Sequence, residues 1–253
     1  EAHSFEPSPR EIIAVQQADL LVFTGGIADY WISEAVAALG EEAPAFLRMM
    51  DSVTVVTEEL VEGMEDTPDE HGEDDQGEEL DEHVWTSPRN AALIVSDIAE
   101  ALSRLGPAGQ AYYRERLEAY LPELNALDQA FRELVSGAKR RTIVLGDRFP
   151  MRYFTMEYGL DYYAAFPGCS TQTEPSARTL AFLMGKIREE QIPVVFYIEF
   201  SSGRSAGVIA EETGAKTLLL HSAHNVTLKE LQNGVSYLSL MRGNLETLRE
   251  ALN

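Results

Sequence analysis

Residues 142–220 decide the architecture, through four runs: Thr142-Ile143-Val144-Leu145, Tyr162-Tyr163-Ala164-Ala165-Phe166, Val194-Val195-Phe196-Tyr197-Ile198 and Thr217-Leu218-Leu219-Leu220. Each is short, apolar and without polar alternation, the pattern of a strand buried on both faces. Between and after them lie stretches of helical spacing, from Phe149 to Met156, Pro175 to Glu190, Ser205 to Thr213 and Val235 to Leu252. Four consecutive β-α units predict a parallel sheet covered by helices, hence an α/β protein. Ligands of such sheets bind beyond the carboxyl ends of the strands. That rule places Asp147, Glu199 and His221 in the expected cleft, because each directly follows a predicted strand.

Upstream, apolar residues keep a helical period from about Gln110 to Ser136. At 1.5 Å per residue this helix is roughly 40 Å long, enough to cross between two lobes. Pro122 lies inside it and is expected to bend or interrupt it. Ser87-Pro88 is a good helix start, a cap followed by proline, for a pattern that runs to Gly106. The first 50 residues read as helix from Pro9, strand at Leu20-Leu21-Val22-Phe23, then a second helix carrying Tyr30, Trp31, Ala35 and Val36. The β-branched stretch Val53-Thr54-Val55-Val56 is a further predicted buried strand.

Composition narrows the function. With 253 residues, 45% hydrophobic, the chain suffices for one large domain or two compact lobes. No run of about 18 apolar residues exists, so no membrane-spanning helix is expected. No basic-then-apolar signal segment opens the sequence, so export would require that such a segment has been removed. A formal charge of −22, from 42 acidic and 20 basic residues, disfavours nucleic acid and anionic lipid as partners. The single cysteine, Cys169, leaves neither an internal disulfide nor a thiolate zinc cluster, and its expected role is a buried structural thiol. Between Glu65 and Glu82, 11 of 18 residues are acidic, with Pro68, Gly72 and Gly77 among them. Such a segment has nothing to bury and reads as a solvated loop, a reading favoured over a metal-gathering role because His71 is its only histidine.

The five histidines are His3, His71, His83, His221 and His224. None forms a His-x-x-x-His pair, so any metal site must be assembled across the fold. No Gly-x-Ser-x-Gly elbow, phosphate-binding loop or convincing dinucleotide fingerprint is present, and no activating pattern surrounds Cys169.

His3-Ser4-Phe5-Glu6-Pro7-Ser8-Pro9, with Ala18-Asp19-Leu20 after the following helix, resembles the first metal-ligand motif of the zinc and manganese ABC-importer binding proteins, the cluster A-I solute-binding proteins. Asp81-Glu82-His83-Val84-Trp85-Thr86-Ser87-Pro88 resembles their second. Tyr158-Gly159-Leu160 and Tyr237-x-x-x-Met241-x-x-Asn244-Leu245 also match, and an acidic or His-rich loop before the second motif is a further family feature. The resemblance runs essentially end to end. It implies two α/β lobes, each a mostly parallel sheet flanked by helices, joined by one long helix, with metal between them. The expected division is residues 1–108, a linking helix over 109–138, and residues 139–253. The strand and helix that the family has ahead of its first motif do not precede His3, so an exposed sheet edge is expected.

By the resemblance His3 and His83 are ligands from the first lobe. At the third position a forward alignment from the strand puts Asp147, whereas a backward alignment from Tyr158 puts Arg148, which has no lone pair to donate. The fourth position falls on His221, with His224 close enough to substitute. The resulting set is His3, His83, His221 and Asp147, with Glu199 in reserve. The competing structural roles are a helix N-cap for Asp147 and a salt bridge within the cleft for Glu199. Imidazoles with one carboxylate suit zinc better than calcium or magnesium, and a histidine at the fourth position moves the preference from manganese toward zinc. The implied function is extracytoplasmic capture of Zn2+, or Mn2+, in the periplasm or tethered to the outer face of the cell membrane. Delivery is to a membrane permease, by a monomer that catalyses no reaction. A zinc-dependent chelatase or hydrolase of similar architecture is the alternative, and it requires an open coordination position.

Overall fold

The computed structural model describes residues 7–64, 80–170 and 174–253. His3 and His71 therefore lie outside the described residues. Helix α1 (Pro9–Gln16) starts at a capping box formed by Ser8 and Glu11. Strand β1 (Leu20–Phe23) leads to helix α2 (Tyr30–Leu39) and strand β2 (Ala45–Arg48), which pairs parallel to β1 with Leu20 opposite Ala45. These two strands form a sheet of their own among the described residues. Phe46 is exposed on β2.

The second strand is a correction. Val53–Val56 is not a strand; Ala45–Arg48 is. The valines are apolar for a different reason, since Val53, Val55 and Val56 pack against a cluster of Met50, Val84, Ile94 and Tyr153. The segment's backbone finds other partners, with Val56 accepting from the Asp81 amide at 2.9 Å and Thr57 bridging to Leu80.

Helix α3 (Pro88–Leu105) begins at Ser87, whose hydroxyl accepts the Asn90 amide. Helix α4 (Gln110–Ser136) runs 27 residues without a break, so Pro122 does not interrupt it. Its inner face buries Leu124, Leu127, Phe131 and Val135. From there the chain alternates: β3 (Thr142–Phe149), α5 (Arg152–Tyr158), β4 (Asp161–Pro167), α6 (Ala177–Glu190), β5 (Val194–Tyr197), α7 (Arg204–Thr213), β6 (Lys216–Leu219), a short α8 (Leu228–Gln232) and α9 (Tyr237–Leu252). The four strands are parallel, in the order β4-β3-β5-β6.

Both faces of this sheet are covered. Ile143 and Leu145 of β3 join Phe131 of α4 and Met241 and Leu248 of α9 in one core, whereas Val144 joins Leu183 of α6 and Ile209 of α7 in the other. Burial on both faces explains why the strands are unbroken apolar runs. The order reverses between β3 and β5, and the carboxyl ends of these two strands form the switch point where such sheets bind ligands.

β3 is longer than the sequence suggests. Leu145 pairs with Ala164, but Arg148 pairs with Phe166, so β3 carries one extra residue in a bulge across Gly146 and Asp147. Gly146 is required there, because a Cβ would come within 2.7 Å of the Ala206 backbone in α7. Asp147 thus lies within the strand rather than after it, and it caps no helix, since α5 begins only at Arg152.

Candidate metal-binding cleft

A cavity of about 220 Å³ opens at the switch point, lined by His83 and His224, by Arg148 and Pro150 beyond the β3 bulge, and by Glu199 and Phe200 after β5. Gly168, Ile198, Ser222 and Asn225 complete its wall. Residues from the β1–β2 half and from the four-stranded half meet here.

His83 reaches the cleft from a 3-10 turn, Val84–Thr86, that directly precedes α3. It is almost fully buried, and Asp81 Oδ1 accepts from its backbone amide at 2.8 Å and lies 3.1 Å from its Nδ1. A carboxylate oxygen at this position can accept from Nδ1, the contact that turns Nε2 away from Asp81. This is the arrangement in which a second carboxylate prepares a histidine to ligate metal. Gly168 closes against the ring, since a Cβ there would lie 3.1 Å from His83 Cε1 and 2.8 Å from the Phe149 carbonyl. Asp81 and Glu82 belong to the acidic run read as solvated, yet both are buried. Glu82 Oε1 accepts the Ala28 amide at 3.0 Å, tying the loop after β1 to the histidine turn. Burial pushes the Glu82 carboxyl above its ordinary range.

The facing wall is the loop after β6. His224 presents its ring edge to His83, with centroids 5.8 Å apart, and to Trp85 at 5.3 Å. Glu199 organises this loop. Its Oε1 accepts from the Ser222 hydroxyl at 2.6 Å and from the His224 and Asn225 amides at 3.1 and 3.2 Å, while Oε2 accepts the Ser222 amide at 2.8 Å. Burial pushes the Glu199 carboxyl up, but the Ser222 hydrogen bonds and the neighbouring His221 outweigh it, and the net shift is downward. Glu199 is therefore a charged anchor whose two oxygens are already engaged.

His221 is buried beside this anchor and does not line the cavity. Its Nδ1 accepts the Ala223 amide at 2.9 Å and lies 3.4 Å from Glu199 Oε2. Asn244 of α9 clamps its backbone from both sides, accepting the His221 amide at 2.8 Å and donating to the His221 carbonyl at 2.7 Å. Ala223 and Phe200, with φ near +58°, are two of the three non-glycine residues of positive φ among those described. Both flank the cleft, where strain of this kind tends to gather.

At β3 the bulge gives Arg148, not Asp147, to the cavity wall. Arg148 Nη1 reaches the Ser170 carbonyl at 3.4 Å. Asp147 Oδ1 accepts the Arg148 amide at 2.9 Å, and its Oδ2 is buried without a hydrogen-bond partner. Cys169 is half-buried, and its amide donates to Glu58. Among the described residues no group of three or more His, Cys, Asp or Glu side chains is spaced to surround a metal ion.

The sequence reading missed three contributors, namely Asp81 as the partner of His83, Asn244 as the clamp on His221, and Trp85 as a strut. Trp85 Nε1 donates to the Ser222 carbonyl at 2.9 Å, and the Tyr237 hydroxyl of α9 donates to the Trp85 carbonyl at 2.9 Å. Their signals were present in the motifs Asp81-Glu82-His83-Val84-Trp85 and Tyr237-x-x-x-Met241-x-x-Asn244, which connect through these bonds.

A profile of the family described as "Zinc-uptake complex component A periplasmic" (ZnuA) matches residues 1–251. The chain is 30% identical over 254 residues to the "High-affinity zinc uptake system protein ZnuA" of Bacillus subtilis (strain 168), covering 100% of this chain and 77% of that protein. It is 30% identical over 251 residues to the "Zinc-binding lipoprotein AdcA" of Streptococcus pneumoniae serotype 4, of which it spans 49%, about half the length. Among solved structures, the Zn(II)-bound ZnuA-like domain of Streptococcus pneumoniae AdcA superposes with a TM-score of 0.80 at 26% identity, covering 100% of this chain and 86% of that one. The metal-dependent lipoprotein YcdH of Bacillus subtilis superposes with a TM-score of 0.81 at 27% identity, covering 99% and 87%.

Proposed function

The chain belongs to the ZnuA family of periplasmic zinc-uptake components, and on that premise we propose that it captures Zn2+ outside the cytoplasm and hands it to an ABC permease. The observation that carries this reading is His83, whose Nδ1 lies against Asp81 and whose ring faces His224 across the cleft. Two imidazoles form the core of a borderline-soft site suited to zinc. By the resemblance His3 joins them. Asp147, through its unpartnered Oδ2, and His221 are the remaining donors; both need a local movement to reach the cavity. Capture and release involve no chemical step on the cargo.

The proposed lobes are residues 1–108 and 139–253, with 109–138 as the linking helix. Side-chain bonds span them at several points besides α4. The Tyr153 hydroxyl donates to the Asp81 carbonyl at 2.7 Å, Arg152 Nε donates to the Thr57 carbonyl at 2.7 Å, and Trp85 donates to Ser222. These ties favour small loop and lobe shifts on loading over wide hinge closure.

The test is metal content and competitive zinc titration of the wild type and His83→Ala, with thermal melting as the check on folding. Tight one-to-one binding lost in the variant supports the reading. A folded wild-type protein that binds no zinc tightly overturns it.

A further inference from the structure

We propose that residues 57–64 form a latch between the two halves of the molecule, one that sets how fast zinc enters and leaves the cleft without setting how tightly it is held. The inference rests on the zinc-carrier reading and deepens it. The segment has no helix or strand of its own, so side chains fix its course across the second half. Glu58 accepts the Cys169 amide at 2.7 Å. Glu59 pairs with Arg152 of α5, and the Tyr162 hydroxyl of β4 donates to it at 3.4 Å. Arg152 also donates from Nε to the Thr57 carbonyl. Glu62 lies 3.5 Å from Lys186 of α6, whose ammonium sits over the Tyr163 and Phe182 rings at 5.1 and 5.5 Å. Gly63, at φ +94°, lies so close to Phe182 that a Cβ would come within 2.1 Å of that ring. Met64 then packs against the core that β3 shares with α4 and α9.

The latch begins beside the metal site. Thr57 bridges to Leu80, just ahead of His83, and Glu58 approaches Gly168, the residue that closes against the His83 ring. His83 comes from the first half of the chain and Glu199 and His224 from the second, so an ion between them leaves when the halves part. The contacts of residues 59–64 must loosen for that, because each ties the segment to the second half. None of Glu59, Glu62, Arg152 and Lys186 lines the cavity. Their ion pairs are therefore as strong with metal bound as without it, and a contact that does not differ between two states cannot shift the equilibrium between them. Weakening these pairs multiplies the rates of entry and exit by one factor, and the ratio of the two rates is unchanged.

The experiment compares the wild type, the double variant Glu59→Gln with Glu62→Gln, and Lys186→Met, each checked for folding by thermal melting. Zinc release into an excess of a fluorescent chelator, extrapolated to zero chelator, gives the exit rate, and competitive titration gives the affinity. The double variant should release zinc about fivefold faster, the size of two partly exposed ion pairs, with an affinity within about twofold of wild type. Lys186→Met should release it about threefold faster at unchanged affinity, through loss of one pair and its ring contacts. It tests the latch from the second half, so it decides the question alone if the double variant does not fold. Raising the ionic strength to about 1 M, where the screening length is about 3 Å, should speed release from the wild type far more than from the double variant. Release at the wild-type rate from the folded variants would overturn the inference and leave the carrier reading standing. An affinity that weakens as much as release quickens would also overturn it, because the segment would then hold the metal rather than time its passage. Absence of tight zinc binding by the wild type would overturn the carrier reading and the latch with it.

Discussion

Asp81 and His83 form the unit on which the site depends at the scale of single residues. The carboxylate accepts from the backbone amide of the same histidine and meets its ring at Nδ1, favouring one rotamer and one tautomer together. Replacing Asp81 with Asn permits the opposite tautomer and weakens the ring's basicity. Zinc affinity should fall about 10- to 100-fold, the usual cost of losing a carboxylate behind a metal-bound histidine, and less than in His83→Ala. Equal losses in the two variants by competitive titration would show that Asp81 does more than orient the ring. Asp81 was hidden in the sequence because it stands near the end of a run of carboxylates, and composition cannot separate a buried acid from its acidic neighbours. The choice between Asp147 and Arg148 was open for a physical reason as well. A one-residue bulge shifts the register of every side chain after it, and neither hydropathy nor spacing reports it. His221 and His224 both follow β6, and only the backbone clamp by Asn244 shows which of the two is held out of the cavity.

Between elements, the loop after β6 is shaped by α9 and by the residue following β5. Asn244→Leu should leave the amide and carbonyl of His221 buried without partners, at a cost of about 2–4 kcal/mol. Urea denaturation measures this as a lower midpoint with an unchanged slope, and a stability within error of wild type would mean that water replaces the clamp. The acidic segment calls for the opposite expectation. Deleting residues 65–79 while keeping Leu80, which bridges to Thr57, and Asp81 should leave the equilibrium zinc affinity within about twofold, since a charged segment with nothing to bury contributes little to a preformed site. A tenfold loss on titration would instead give the segment a part in metal capture. The four β-α units were legible because a doubly covered parallel strand must be an apolar run, and α4 because its apolar period lasts 27 residues. β2 was not legible, since its Ala45 and Phe46 are exposed and give no burial pattern, whereas Val53–Val56 imitates a strand while packing as an extended segment over Tyr153.

Across the whole molecule, two of the bonds that join the halves, from Tyr153 to Asp81 and from Tyr237 to Trp85, are made by phenols, which makes their union sensitive to alkali. Burial raises Tyr153 to about 12, with the Asp81 charge adding to it. Tyr158 is raised further by burial and by Asp128, which its hydroxyl meets at 2.9 Å, and Tyr237 is raised mainly by burial. In the folded protein these phenols stay neutral well above the ordinary value of 10.0, and in the unfolded chain they ionise near it. Above that pH the unfolded chain binds fewer protons than the folded one, so stability falls as pH rises, and below it the tyrosine contribution is complete and constant. The melting temperature should accordingly drop between about pH 9.5 and 11. Tyrosinate absorbance should show that some of the ten tyrosines ionise only when the protein unfolds. Because Tyr153 holds the Asp81 carbonyl and Tyr237 holds that of Trp85, on either side of His83, zinc should protect against this alkaline unfolding. A melting temperature that stays flat through pH 11, or tyrosines that all titrate near 10 in the folded state, would show that these phenols are not the seal between the halves.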